Sequence, residues 1–280
     1  MTIEKSTTER LKELLNRPEE EMSLAEAALL IAQDEYPHLD ISAYLQRLDD
    51  LSRDVGARLS PGAPPENIIA AMNNLLFQEE GFAGNEKNYY DPRNSFLNDV
   101  LDRRLGLPIT LSIVYMEVGR RLGLSLEGVS FPGHFLVKLK LKQGRVVLDP
   151  YSGGVSLSEQ ELNNRLHQSY GDQLHVPLNR LLASADKKHI LTRLLYNLKA
   201  IYLHREEFTK VLAVIDRILL INPNLPEELR DRGLIFERLE CAQSALEDYR
   251  RYIELEPNAP DAREVRSRLI NLQKITPALH

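Results

Sequence analysis

Apolar residues in the first part of the chain recur at helical spacing and predict a series of helices. One helical face would carry Leu45, Leu48, Leu51, Val55 and Leu59. An earlier helix is predicted to begin after Ser23, with Glu26 three residues on at capping-box spacing, and to end before Pro37. The first hundred residues are therefore predicted to be helical.

A polar segment from Gly81 to Phe96 interrupts this pattern. It is rich in Gly, Asn, Asp and Pro, which is the composition of a loop. Asp91 or Asn94 is expected to cap the helix that follows.

The periodicity changes in the middle of the chain. Residues 109–123 are apolar on nearly every side in their first half, which predicts a central buried helix. The next apolar residues alternate, as in a half-buried strand: Phe135, Val137, Leu139 and Leu141. A turn at residues 142–144 and a returning strand that ends at Asp149 predict an antiparallel pair.

The last hundred residues contain a repeat of 34 residues, which separates Pro223 from Pro257. This period is typical of tetratricopeptide repeats, in which each unit is a helix–turn–helix. The second unit has small, aromatic or proline residues where the repeat pattern expects them: Gly233, Phe236, Ala245, Tyr249 and Pro257. The first unit departs from that pattern at Lys199, where a small residue is usual.

These patterns predict two domains. Residues 1–183 would form an α+β domain with a helical N-terminal region and a central helix packed on a small antiparallel sheet. A helix that opens with the Ser158–Glu161 capping-box spacing would close it. Residues 186–280 would form an all-α array, with repeats at 192–225 and 226–259 and a capping helix at 260–274.

Composition narrows the functional classes. The 280 residues carry 35 basic and 41 acidic side chains, a net charge of −6, which disfavours a nucleic-acid partner. Cys241 is the only cysteine, so a disulfide within the chain and a cysteine-rich metal site are both excluded. The N-terminal segment lacks the apolar core of a signal peptide, and no apolar run has the length of a membrane span. A cytoplasmic location without membrane association is the expectation, and no cofactor is predicted.

His134 and Asp149 are the candidate chemical groups of the chain. They lie 15 residues apart on consecutive predicted strands joined by a tight turn, which can bring them side by side. A cysteine hydrolase needs such a histidine, oriented by a carboxylate, together with a thiolate at a helix N-terminus. The alternative is that His134 and Asp149 make only a structural hydrogen bond, or that Asp149 caps a turn. Two ligands are too few for a metal site, so none is predicted.

The chain resembles the bacterial SirB-type family, in which a transglutaminase-like (papain-like) domain precedes tetratricopeptide repeats. The segments that carry the resemblance are EAALLIAQDEYP, NNLLFQEEGFAGN, YYDPRNSFLNDVLDRRLGLPITLS, GVSFPGHFLVKL and VLDPYSGG. The resemblance implies that His134 and Asp149 occupy the family's catalytic positions. It also implies that GLP, ending at Pro108, replaces the Gly-x-Cys motif of the wider transglutaminase-like pattern.

Two hydroxyl groups could substitute for the missing thiol. Ser112 lies four residues beyond Pro108 on roughly the same helical face, but about 6 Å further along the axis. Thr110 is closer to the helix start, but it points to another side. Neither is expected where the thiol would lie.

The function expected from these features is that of a non-catalytic scaffold or regulatory protein, a pseudoenzyme whose repeat groove holds a protein or peptide. A homodimer is an open alternative. The loop before the central helix could form one wall of a binding cleft, with candidate contacts Asn85, Tyr89, Asp91 and Asn94. The rival hypothesis is an amide or ester hydrolase or transferase that uses His134 and Asp149 with a nucleophile other than cysteine.

Overall fold

The computed structural model describes residues 5–141, 144–171 and 176–275. The chain divides into two compact units, unit 1 (Met1–Leu194) and unit 2 (Leu195–His280). Among the described residues, no helix has both the length and the apolarity needed to cross a membrane.

Unit 1 is mainly helical, as the sequence predicts. Its helices are α1 (Thr7–Leu15), α2 (Leu24–Ala32), α3 (Ile41–Gly56), α4 (Pro65–Asn73), α5 (Leu97–Arg103), α6 (Pro108–Arg121), α7 (Glu159–Tyr170), α8 (Leu178–Leu181) and the first part of α9 (Lys187–His204). A π-helical turn, Asn74–Glu79, follows α4 directly.

Local capping explains where several of these helices begin. The Ser23 hydroxyl accepts a hydrogen bond from the Glu26 amide at 3.2 Å, which starts α2 at the expected place. Ser158 and Glu161 form a full capping box at α7, because each side chain binds the other residue's backbone N–H.

The prediction that Asp91 or Asn94 caps α5 is wrong. The N-cap of α5 is Phe96, which offers no side-chain acceptor, and Asp91 instead caps a short 3-10 helix, Pro92–Asn94. The 3-10 helix lies between Asp91 and the start of α5, so the presence of residues that favour N-caps did not locate the start of the helix.

A five-stranded antiparallel sheet completes unit 1. Its strands are β3 (Leu126–Val129), β4 (Leu136–Leu141), β5 (Gly144–Asp149), β6 (Val155–Leu157) and β7 (Ser184–Ala185), in the order β6-β5-β4-β3-β7. Two short parallel strands, β1 (Ala83–Gly84) and β2 (Leu105–Gly106), flank α5. Residues 142 and 143 of the predicted turn between β4 and β5 lie outside the described residues.

The alternating apolar residues mark a strand, as predicted, but burial along β4 does not alternate. Leu136, Val137, Lys138 and Leu139 are all buried. The sheet carries structure on both faces here, and the Lys138 ammonium remains hydrogen-bonded because it reaches the Leu182 carbonyl and the Ser184 hydroxyl, each at 2.9 Å. A strand covered on both faces loses the period of two that a sequence pattern detects.

The central helix of unit 1 is α6, as predicted. It is buried along its length from Pro108 to Gly119, and it contacts β3, β4, α3 and α5. Pro108 occupies the first helical position, where its missing N–H costs no intrahelical hydrogen bond. The central helix and the antiparallel sheet confirm the predicted α+β core.

Unit 2 consists of antiparallel helical hairpins. Its helices are the second part of α9, α10 (Phe208–Ile221), α11 (Pro226–Arg238), α12 (Ala242–Leu255) and α13 (Ala262–Ile275). Gly233 of α11 allows the close packing of Tyr249 of α12, because a Cβ at Gly233 would lie 2.6 Å from that ring. The small and aromatic positions of the repeat pattern therefore correspond to one tight interhelical contact.

Candidate functional site

His134 is held at the end of a tight turn that leads into β4. Its amide donates to the Phe131 carbonyl at 3.0 Å, and between them lie Pro132 and Gly133, whose φ is +69°. Proline followed by a residue with positive φ is the signature of a type II turn, so the FPGH sequence positions this backbone locally. Arg193 of α9 then holds the turn by donating to the His134 carbonyl at 2.7 Å.

Asp149 ends β5, the strand that pairs with β4. Val137 lies opposite Leu148 in this pair, so the carboxylate that follows Leu148 comes level with the turn that carries His134. The Asp149 side chain also caps the 3-10 helix Pro150–Ser152 by accepting from two backbone amides. The turn-capping role and the contact with histidine therefore occur together in this residue.

The imidazole and the carboxylate form a direct hydrogen bond. His134 Nε2 lies 2.9 Å from Asp149 Oδ1, and the Tyr151 ring contacts the imidazole edge to face at 5.7 Å between centroids. An ionised carboxylate can only accept, so Nε2 is the donor in this hydrogen bond. The described residues supply no hydrogen-bond partner for Nδ1, and 19% of the His134 side chain is exposed.

Asp149 is saturated with hydrogen-bond donors. In addition to His134, its oxygens accept from the Tyr151 and Ser152 amides, from the Ser152 hydroxyl at 2.8 Å and from the Arg165 guanidinium at 2.7 Å. Complete burial by itself would raise the pKa of Asp149, but the hydrogen bonds and charge of its neighbours outweigh burial and hold the pKa well below its usual value. The carboxylate is therefore a fixed anion that orients the imidazole.

The start of α6 supplies no nucleophile to this pair. Pro108 is buried at the first helical position. The Thr110 hydroxyl is buried and bonded to the Asn94 carbonyl at 2.8 Å and to the Leu107 amide at 2.9 Å. The Ser112 hydroxyl is buried and has no hydrogen-bond partner in the part of the chain that the structure describes. Among the described residues, no hydroxyl or thiol is hydrogen-bonded to His134.

The loop before α5 uses its amide side chains internally. Asn85 and Asn94 are buried and bonded to each other at 2.9 Å, and Asn94 also donates to the carbonyls of Asn88 and Tyr89. Asp91 forms ion pairs with Arg93 and Arg103. Of the four residues proposed as cleft contacts, Tyr89 is the one with a substantially exposed side chain, at 41%.

Several residues that support the site were not found from the sequence. Asn73 donates to the Gly154 carbonyl and accepts from the Tyr115 hydroxyl of α6. These two hydrogen bonds tie the turn after Asp149 to the central helix. Tyr151 lies against Gly84 so closely that a Cβ there would come within 2.3 Å of the ring. These partners are 42 to 81 residues apart in the chain, and no local sequence motif predicts their contact.

Unit 2 contains a second buried charged cluster. The Lys199 ammonium lies 2.7 Å from both oxygens of Glu228 and 2.7 Å from Asp231 Oδ2, so α9 and α11 are joined by an ionic contact. Burial raises the pKa of Glu228, although Lys199 acts in the opposite direction. The departure from the repeat pattern at Lys199 thus reflects this contact.

A groove lies beside this cluster in unit 2, with a cavity volume of about 340 Å³. Its floor is formed by Val211, Ile215 and Ile235, which are buried. Its walls carry Leu203, which is 40% exposed, and Phe208.

The described residues contain no group of three or more His, Cys, Asp or Glu side chains that could hold a metal ion. In chemical terms, the unit 1 site presents an oriented imidazole, one nitrogen of which is bonded to no other described residue. The unit 2 groove presents apolar surface bordered by charges.

The comparisons with known proteins agree with this architecture. Residues 42–196 match the transglutaminase-like superfamily, and residues 198–270 match the tetratricopeptide repeat. A UPF0162 protein of Xylella fastidiosa (strain Temecula1) is 42% identical over 258 residues, which cover 91% of each chain. A UPF0162 protein of Vibrio cholerae is 34% identical over 256 residues, covering 86% of this chain and 89% of the relative.

Protein SirB1 of Salmonella typhimurium is 27% identical over 248 residues, covering 88% of this chain and 90% of its own. No solved structure matches the chain significantly. The resemblance inferred from the sequence is therefore confirmed, and the chain belongs to the UPF0162, or SirB-type, family, in which a transglutaminase-like domain is followed by tetratricopeptide repeats.

Proposed function

We propose that this protein is a cytoplasmic interaction protein in which the repeats of unit 2 bind a segment of a partner protein and unit 1 is a catalytically inactive, rigid domain. The groove of unit 2 carries the proposal, because it combines a buried apolar floor with the exposed Leu203 side chain. Exposed apolar surface beside a concave pocket is typical of a recognition site.

The arrangement around His134 supports the non-catalytic half of the proposal. A cysteine-hydrolase mechanism needs a nucleophile within hydrogen-bond reach of the base. The first turn of α6 offers Pro108 and the internally bonded Thr110 instead. The many contacts of Asp149 are consistent with a structural role for the pair, which holds the turns after β5 and before β4 together.

Partner capture with matched variants tests this function. The full chain and its Leu203→Glu variant would be immobilised and exposed to a cell extract, and the bound proteins identified by mass spectrometry. Val155→Glu is the control, because Val155 is an exposed apolar residue of unit 1 at 48%. We expect at least one protein to be retained by the wild type and the control and lost with Leu203→Glu. Identical protein sets for all three chains would contradict the proposal.

His134 Nδ1, for which the described residues supply no hydrogen-bond partner, supports a second candidate, a hydrolase or transferase acting on amides or esters. Because Thr110 and Ser112 are both buried away from hydrogen bonding with His134, its nucleophile would be a water molecule activated by the imidazole. Screening a panel of amide and ester substrates with the wild type and His134→Ala tests it. Turnover by the wild type that His134→Ala abolishes, with an unchanged circular dichroism spectrum, would favour the enzyme over the scaffold.

A further inference from the structure

The wall of the groove in unit 2 has an excess of negative charge at one end. Lys199 is the cation that lines this end, and its ammonium is already bound by Glu228 and Asp231. Glu227 adds an exposed carboxylate from the same turn of α11. Arg230 also pairs with Asp231, but it is shared with Asp261. Lys199 and Arg230 therefore face four carboxylates, and a positive group from outside would find an attractive field here.

Tyr196 marks this acidic end. It lies one helical turn before Lys199 on α9, with the ammonium 6.0 Å from the ring centroid, and 41% of the side chain is exposed. Burial raises the pKa of Tyr196, and the negative charges of Glu228, Glu227 and Asp231 raise it further. An exposed aromatic ring among carboxylates is well suited to contact a lysine or arginine side chain.

The middle and the far end of the groove have a different character. Leu203 and Leu234 form apolar walls above the buried floor, so this part would accept an aliphatic or aromatic side chain. The far end holds Glu206 and Arg238, whose guanidinium lies 5.0 Å from the Phe208 ring centroid. This end carries both signs of charge, so it gives no preference for a cation.

We propose that the groove of unit 2 selects a partner segment in which an apolar side chain is adjacent to a lysine or arginine. The apolar side chain enters between Leu203 and Leu234, and the basic side chain lies over Tyr196 beside Glu227. This inference rests on the proposed function, since it names the chemistry of the segment that the same groove would bind. Charge complementarity gives the preference, and the apolar pocket gives the anchor.

Selection from a random library of nine-residue peptides tests the preference directly. The library would be panned against the full chain, after counter-selection on the Leu234→Asp variant to remove peptides that bind elsewhere. We expect the enriched peptides to contain lysine or arginine next to leucine, isoleucine, methionine or phenylalanine. Enrichment of acidic or uncharged peptides would overturn the charge preference and leave the binding function standing. No enrichment over the counter-selection would count against the proposed function itself.

Two charge-reversal variants separate a local effect from the overall charge of the chain. Glu227→Lys reverses a carboxylate beside Tyr196, whereas Glu247→Lys makes the same change on an exposed position of α12. For the most enriched peptide, measured by fluorescence anisotropy, Glu227→Lys should weaken binding about tenfold and Glu247→Lys should leave it nearly unchanged. Equal effects of the two variants would mean that only the net charge of the protein attracts the peptide, and the inference would be wrong.

Discussion

Asp149 of unit 1 and Glu228 of unit 2 are both buried carboxylates, yet their pKa values are shifted in opposite directions. Asp149 accepts hydrogen bonds from a histidine, an arginine, a serine hydroxyl and two backbone amides, and its pKa is lowered. Glu228 has Lys199 as its cationic partner and Asp231 as a competing acid, and its pKa is raised.

The number and kind of donors explain this difference. Two of the donors to Asp149 are amides of the turn that the residue itself caps, and they remain in place as long as that turn exists. The stabilisation of Glu228 comes chiefly from one flexible side chain of another helix, that of Lys199, and desolvation outweighs it. Burial of a carboxylate therefore does not decide its charge state; the surrounding donors do.

The largest expected effect comes from Asp149→Asn. The amide group replaces one acceptor oxygen with a donor, so Arg165 or the capping amides lose their partner inside a buried site. We expect the free energy of unfolding of unit 1 to fall by about 3–5 kcal/mol. Hydrogen exchange measured by mass spectrometry would locate the loss near β5. Asp50→Asn, an exposed control on α3, should leave exchange unchanged, and equal protection in both variants would refute a structural role for Asp149.

Lys199→Met should have the next largest effect, and in unit 2. It leaves the buried Glu228 without its cationic partner, whereas Asp231 keeps Arg230, and the loss is expected to cost about 3 kcal/mol at neutral pH. The double variant with Glu228→Leu should recover part of this loss, because an apolar pair needs no desolvation of charge. Faster hydrogen exchange in α9 and α11 is the measurement. A double variant less stable than Lys199→Met would show that the carboxylate is not the source of the cost.

The stability of the groups around Asp149 and around Glu228 should respond to acid in opposite ways. The pKa of Asp149 is lowered, so its stabilisation is complete above the unfolded value of about 3.9 and is lost only as the pH falls further. The pKa of Glu228 is raised, because burial of its charged form costs free energy. Protonation removes this cost as the pH falls towards the raised pKa.

Hydrogen exchange of Asp149→Asn and Lys199→Met, measured between pH 7 and pH 4 and corrected for the intrinsic exchange rate, tests this contrast. The deficit of Lys199→Met should shrink as Glu228 becomes protonated, because protonation removes the uncompensated buried charge. The deficit of Asp149→Asn should stay constant over most of this range. The same pH dependence of the deficit in both variants would show that the two carboxylates do not differ in this way.

Gly84→Ala should have the smallest effect of these variants. The new methyl group would displace the Tyr151 ring, which contacts His134, without removing the donors to Asp149 from Arg165 and the turn. We expect a loss of about 1 kcal/mol and a changed environment of the His134 ring in NMR spectra. Gly56→Ala is the matched control, because its methyl group would make only ordinary contact with Leu122 at 3.6 Å. A loss as large as that of Asp149→Asn would mean that the Tyr151 ring cannot move aside for the methyl group.

Local features of the chain could be predicted because each depends on residues close in sequence. The Ser158–Glu161 capping box, the buried α6 and the 34-residue repeat all follow from periods or spacings that a short segment contains. The start of α5 was missed because a 3-10 turn intervenes, and the burial of Lys138 was missed because both faces of β4 are covered.

The sequence by itself determined the family, the order of elements and the candidates His134 and Asp149. Only the tertiary structure decided which groups surround them. Arg165 reaches Asp149 from α7, Arg193 reaches the His134 turn across 59 residues, and Lys199 pairs with Glu228 across 29. Such contacts depend on how separate elements pack, and packing is a sum over many weak interactions that no spacing between two residues encodes.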